Sequence, residues 1–109
     1  MTDRQKIATA FKALRRNGIM ARMNFLCCGE CGHAAMHDRL GDGRDYVFYH
    51  AQEHDRFKKG EMLPTSGIRM QWSGTMETAR AICVALGAVG LRAQMPADED
   101  KAIKVEGVH

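Results

Sequence analysis

The chain has 109 residues, 45% of them hydrophobic and 27% charged, and its 16 lysines and arginines against 13 aspartates and glutamates leave a net charge of +3. This is the usage of a single globular domain over residues 1–109, and it excludes a disordered tail, a fibrous repeat and a membrane span. The longest strongly apolar run, Ala81 to Leu86, is far below the ~20 residues a spanning helix needs, and so small a charge does not by itself point to nucleic acid.

The first predicted element is a helix. Thr2 and Gln5 have the spacing of a capping box, Ile7, Phe11 and Leu14 recur on one face, and Asn17-Gly18 supplies the stop. From Ile19 to Leu26 the period becomes two, with Ile19, Ala21, Met23 and Phe25 facing one way and Met20, Arg22, Asn24 and Leu26 the other. A short helix through Ala34, Ala35, Met36 and Leu40 is weakly marked, and Gly41-Asp42-Gly43 reads as a turn.

Tyr46 to His50 is the most aromatic stretch and reads as a strand. The polar residues 51–59 make one or two helical turns, and Pro64 to Gly67 reads as a loop. Ile68, Met70 and Trp72 alternate with polar residues in a further strand. A second strong helix follows, with Ala79, Ile82, Cys83, Leu86 and Val89 on one face. Residues 91–95 and 102–105 then pair as a closing hairpin. The order α-β-β-β-α-β-β implies a two-layer α+β domain, with two main helices on one face of a mostly antiparallel sheet of about five strands. Residues 68–95 also have the pattern of a β-α-β unit.

Three of the four cysteines, Cys27, Cys28 and Cys31, fall within five residues. Disulfide scaffolds spread their cysteines to close several loops, and this pattern does not. Met1 to Lys12 alternates charge with apolar side chains, unlike a secretory leader, so the cytoplasm is the expected compartment. Cys28-Gly29-Glu30-Cys31-Gly32 has the form of a metal knuckle: two thiolates three positions apart, then a glycine able to take the positive φ of a tight turn. Zn2+ is the cofactor such a knuckle takes. Cys28 and Cys31 would be its first ligands, with His33, Cys27 or His50 completing the shell; His37 and His54 are more distant.

The same residues allow thiol-redox chemistry, with Cys28 as nucleophile and Cys31 as resolving thiol, although Glu30 between them disfavours a thiolate. They also allow inert, core-filling thiols, since cysteine is among the most buried residue types. Cys83, on the apolar stripe of its helix, reads as core. No nucleophile elbow, phosphate loop or paired-carboxylate motif is present. The polar run His50 to Asp55 is the sort that more often forms a solvated turn than a site. Arg4, Lys12, Arg15, Arg16 and Arg22 read as a solvated basic face, so nucleic acid is not an expected partner.

Gly18 to Phe25, followed by Cys27-Cys28-Gly29-Glu30-Cys31-Gly32, resembles the opening of an uncharacterised domain of small bacterial proteins with a Phe-x-Cys-Cys-x-x-Cys-Gly signature. Val47 to Glu53 is similar to that family's aromatic-His-x-Gln-acid segment. The resemblance brings no established activity, substrate or cofactor, but it associates the cysteines with His50. The function expected is that of a small non-enzymatic binding or adaptor protein with a metal-held Cys-rich knuckle and a protein partner. The alternatives are a thiol-redox protein and a stand-alone inhibitor or regulator. At this length burial leaves a narrow stability margin, so a metal or a homo-oligomer is a natural source of further stability.

Overall fold

The computed structural model describes residues 2–25, 29–40, 45–57, 63 and 66–107, with the backbone alone at 29, 30 and 37–40. Along the chain run α1 (Asp3–Arg16), β1 (Met20–Arg22), α2 (Gly29–Leu40), β2 (Tyr46–Phe48), α3 (Ala51–His54), β3 (Ile68–Ser73), α4 (Met76–Ala88), β4 (Arg92–Gln94) and β5 (Ile103–Glu106). The fold is α+β. Leu26, the Gly41-Asp42-Gly43 turn and Pro64 lie outside the described residues.

α1 begins as its caps dictate. The Thr2 hydroxyl accepts from Gln5 N–H at 3.2 Å and Gln5 Oε1 accepts from Thr2 N–H at 2.9 Å, so each satisfies a donor the helix leaves over. Its stripe of Ile7, Ala10, Phe11 and Leu14 is buried, and Gly18 at φ 85° turns the chain out of the helix. At the same end Asp3 is buried and its carboxylate accepts the N–H of Leu63 at 2.7 Å, tying α1 to a distant segment.

The sheet order is β1-β2-β3-β5-β4, with β1–β2 parallel and the other three pairs antiparallel. One face carries Ala21, Val47, Ile68, Met70, Trp72, Ile103 and Val105, covered by Phe11 and Leu14 of α1 and Ile82 and Leu86 of α4. The other face carries Tyr46 and Phe48, covered by Met36 of α2 and by Phe25. The β1-α2-β2 and β3-α4-β4 connections step in the same direction across the sheet, while β3 runs opposite to β1. Crossovers of one hand must therefore lay α2 and α4 on opposite faces, where they are found.

Two expectations are corrected. The short helix expected through Ala34 to Leu40 is a twelve-residue helix that begins at Gly29; its stability comes from packing on Phe48 more than from periodicity. The alternation 19–26 stops early: Asn24 adopts φ 49°, and this left-handed step sends Phe25 to the α2 side, away from Ile19 and Ala21. The β-α-β pattern of residues 68–95 is present: β3 and β4 run parallel, joined through α4, with β5 antiparallel between them. The hairpin of β4 and β5 forms as expected, with Ala93 opposite Val105.

Candidate functional site

Register sets the site. Tyr46 of β2 stands opposite Ser73 of β3, and Phe48 stands opposite Gln71, so Tyr46, Gln71 and Ser73 share the face that α2 covers. α2 approaches this face closely through Gly32: a Cβ there would lie 2.3 Å from Cε2 of the Phe48 ring. Glycine inside a helix costs about 1 kcal/mol against alanine, and here it lets the helix sit down on an aromatic ring. The positive φ expected of Gly32 is not adopted, because the residue is helical.

With α2 held this near, the next side chain, His33, reaches the sheet. Its Nδ1 lies 2.5 Å from the Tyr46 hydroxyl and its Nε2 3.4 Å from Gln71 Oε1. An amide oxygen can only accept, so Nε2 carries the imidazole hydrogen and Nδ1 receives the Tyr46 O–H. Ser73 in turn hydrogen-bonds Tyr46. The result is one chain of polar groups, Ser73 to Tyr46 to His33 to Gln71. Burial raises the Tyr46 phenol above its ordinary value, and the Ser73 hydrogen bond opposes that rise. Phe48 meets the His33 ring edge-on, with centroids 5.2 Å apart.

This chain forms one wall of a cavity of about 360 Å³. Trp72, Gly74 and the Glu99-Asp100-Lys101 turn before β5 complete the lining. The turn is anchored by Trp72, whose indole N–H donates to the Lys101 carbonyl at 2.7 Å. Gly74, at φ 140°, cannot carry a side chain: a Cβ would meet Thr78 Oγ1 at 2.5 Å and Asp45 Oδ1 at 2.7 Å.

A family model described as a domain of unknown function (DUF6891) matches residues 1–109. The chain belongs to this family. No curated protein and no solved structure matches it.

Of the residues that sequence reading singled out in this DUF6891 domain, Cys27 and Cys28 lie outside the described residues. Cys31 is exposed in the first turn of α2. His33 points to Tyr46 and Gln71, and both its ring nitrogens are engaged there. His50 caps α3 without a side-chain hydrogen bond, and its Nδ1 is buried with no partner among the described residues. Among those residues no three His, Cys, Asp or Glu side chains gather as a metal group. Cys83 packs against the main core, where burial pushes its thiol up.

Tyr46, Gln71, Ser73 and the Glu99–Lys101 turn had not been singled out as site residues. The polar positions alternating with Ile68, Met70 and Trp72 are the available signal for Gln71, but which side chains of β2 it meets is set by the strand register. No helix among the described residues is long and apolar enough to cross a membrane.

Proposed function

We propose that this domain is a small binding protein whose recognition surface is the cleft between α2 and the end of β3. The observation that carries this reading is the chain Ser73–Tyr46–His33–Gln71 along the cleft wall. Its internal hydrogen bonds fix the positions of the side chains, leaving the Gln71 amide hydrogens and the Ser73 lone pairs to face a ligand. Glu99, Asp100 and Lys101 add both signs of charge across the cleft. Such a lining suits a small polar molecule carrying donors and acceptors together, such as an amino acid or a sugar. The His33–Tyr46 pair hydrogen-bonds internally and, among the described residues, no carboxylate orients the imidazole, which favours binding over turnover. A binding role of this kind suits an adaptor or a regulator of another protein.

The test is an NMR titration of the His33 ring resonances with free amino acids and simple hexoses. Saturable shifts that vanish in Gln71→Leu support the reading. Unmoved His33 signals across both ligand classes overturn it.

A second reading, that a structural zinc is held at the Cys-rich segment, is favoured by His50. Its buried Nδ1 has no partner among the described residues and needs one, and Phe25, two residues before Cys27, donates its N–H to the Tyr49 carbonyl next to His50 at 2.8 Å. Cys27, Cys28, Cys31 and His50 would then form the shell. Stoichiometric zinc on elemental analysis and a Tm lowered by chelator are the expected results. Metal-free protein with an unchanged Tm removes this reading. A two-proton mass change on mild oxidation would favour Cys28/Cys31 redox chemistry instead.

A further inference from the structure

The face of β3, β5 and β4 that points away from α1 and α4 is charged. Alternation sends Ile68, Met70, Ile103 and Val105 into the main core and turns Arg69, Lys104 and Glu106 the other way. Register then sets these side chains in rows. Arg69 stands directly opposite Lys104, Gln94 faces Lys104 from the far side, and Arg92 stands opposite Glu106. Arg69 is exposed, and the side chains of Lys104 and Arg92 are 45% and 67% exposed.

An arginine directly across from a lysine works against the sheet, because like charges at opposite positions repel. Glu106 offers partial relief. Its carboxylate is shared, lying 3.5 Å from Lys104 Nζ and 3.9 Å from the Arg92 guanidinium. Arg69 has no carboxylate within ion-pair distance among the described residues. Three cations against one carboxylate leave two positive charges unmatched on strands that the packed face holds in place. A local rule broken in this way, without a gain in packing, marks a surface with a use outside fold stability.

We infer that this open face docks a short acidic peptide segment of a protein partner, its carboxylates on Arg69, Lys104 and Arg92. Guanidinium groups take carboxylates two oxygens at a time. Cross-strand neighbours lie about 5 Å apart and diagonal ones about 7–8 Å, which matches the ~7 Å between alternate side chains of an extended segment. Other anionic partners fit less well. The described residues of this face include no aromatic ring on which a base could stack and no large apolar side chain to enter a bilayer. Glu106 within the face, and Glu99 and Asp100 in the adjoining cleft, oppose a long phosphate backbone. None of the residues in these charged rows lines that cleft, so the inference does not rest on the reading given to it.

The experiment is fluorescence anisotropy of three short labelled probes with the full chain at equal ionic strength: a Glu-Thr repeat peptide, a Lys-Thr repeat peptide and an oligothymidylate of the same charge as the first. The Glu-Thr peptide is expected to bind saturably with a Kd on the order of 0.1 mM and to weaken with added salt. Arg69→Glu should weaken it about tenfold or more while Tm holds or rises, since the new carboxylate faces Lys104. Lys104→Gln, which also removes the like-charge pair, should weaken it severalfold without lowering Tm. Failure to saturate by about 2 mM peptide overturns the proposal, and so does equal binding of the Lys-Thr peptide. Oligothymidylate binding as tightly as the Glu-Thr peptide would make the face a nucleic-acid surface instead. Unchanged binding in both variants would place the peptide elsewhere and overturn the proposal as well.

Discussion

On the face under α1 and α4 every strand contributes an apolar side chain, from Ala21 at one edge to Ala93 at the other, and the layer is closed. On the face under α2 the apolar cluster among the described residues is smaller: Phe25, Met36, Tyr46 and Phe48, with the half-buried Met20 and Ala35 against them. The strands then continue as Gln71, Ser73, Arg69 and Lys104. The first face holds the fold together. The second borders a cleft: among the described residues α2 packs on Phe48 of β2 and touches β3 through His33 and Gln71. Binding residues therefore occur where packing ends, set on strands that the opposite face keeps rigid.

The comparison can be broken most severely from the packed side. Phe11→Ala removes a fully buried ring between α1 and the sheet, and a loss of about 3–5 kcal/mol in urea unfolding is expected. A loss under about 1 kcal/mol would mean that this layer is not the principal core. On the other face the test is Gly32→Ala. The added methyl must displace the Phe48 ring, so a loss of roughly 1–3 kcal/mol is expected even though alanine is the better helix former. Phe48→Leu in the same chain should recover part of it, and additive losses would show that the two residues do not touch.

Tyr46→Phe sharpens the contrast at the cleft. Removing the hydroxyl leaves His33 Nδ1 without its donor and should cost about 0.5–1.5 kcal/mol at neutral pH, read by urea unfolding. The pH dependence has a definite sign. Burial holds the Tyr46 phenol above 10.0 and the Cys83 thiol above 9.0 in the native state. The folded chain thus keeps protons that the unfolded chain releases, and stability falls as pH rises past about 9. Cys83→Ala and Tyr46→Phe should each flatten that fall in unfolding midpoints compared between pH 8 and pH 10.5. The smallest effect is reserved for Val84→Lys. This residue is 64% exposed on α4, two positions from the buried Ile82, so a change within about 0.5 kcal/mol is expected.

Most of the packed face could be read from the sequence because its signals are local. The Thr2–Gln5 box, the Ile7–Phe11–Leu14 stripe, the alternation of Ile68, Met70 and Trp72 and the closing hairpin each declare themselves within a few residues. α2 does not. Its glycines, alanines and histidines make a poor stripe, and what holds it is a ring 16 positions away, Phe48 against Gly32. The break at Asn24 was hidden for a related reason: a single left-handed residue reverses the inward set without altering the pattern of residue types. The cleft was least legible, since His33 meets Tyr46 across 13 positions and Gln71 across 38. Sequence reading placed His33 by its nearness to the cysteines along the chain, whereas its neighbours are set by strand register.

The insertion of β5 between β3 and β4 has a consequence for synthesis on the ribosome. Both strands are made before the one that joins them, so each emerges with its inner edge unpaired until Ile103–Glu106 follows. A nascent chain arrested ahead of those residues would expose two sticky borders, so any truncation there should raise the risk of aggregation well beyond what losing so short a strand suggests.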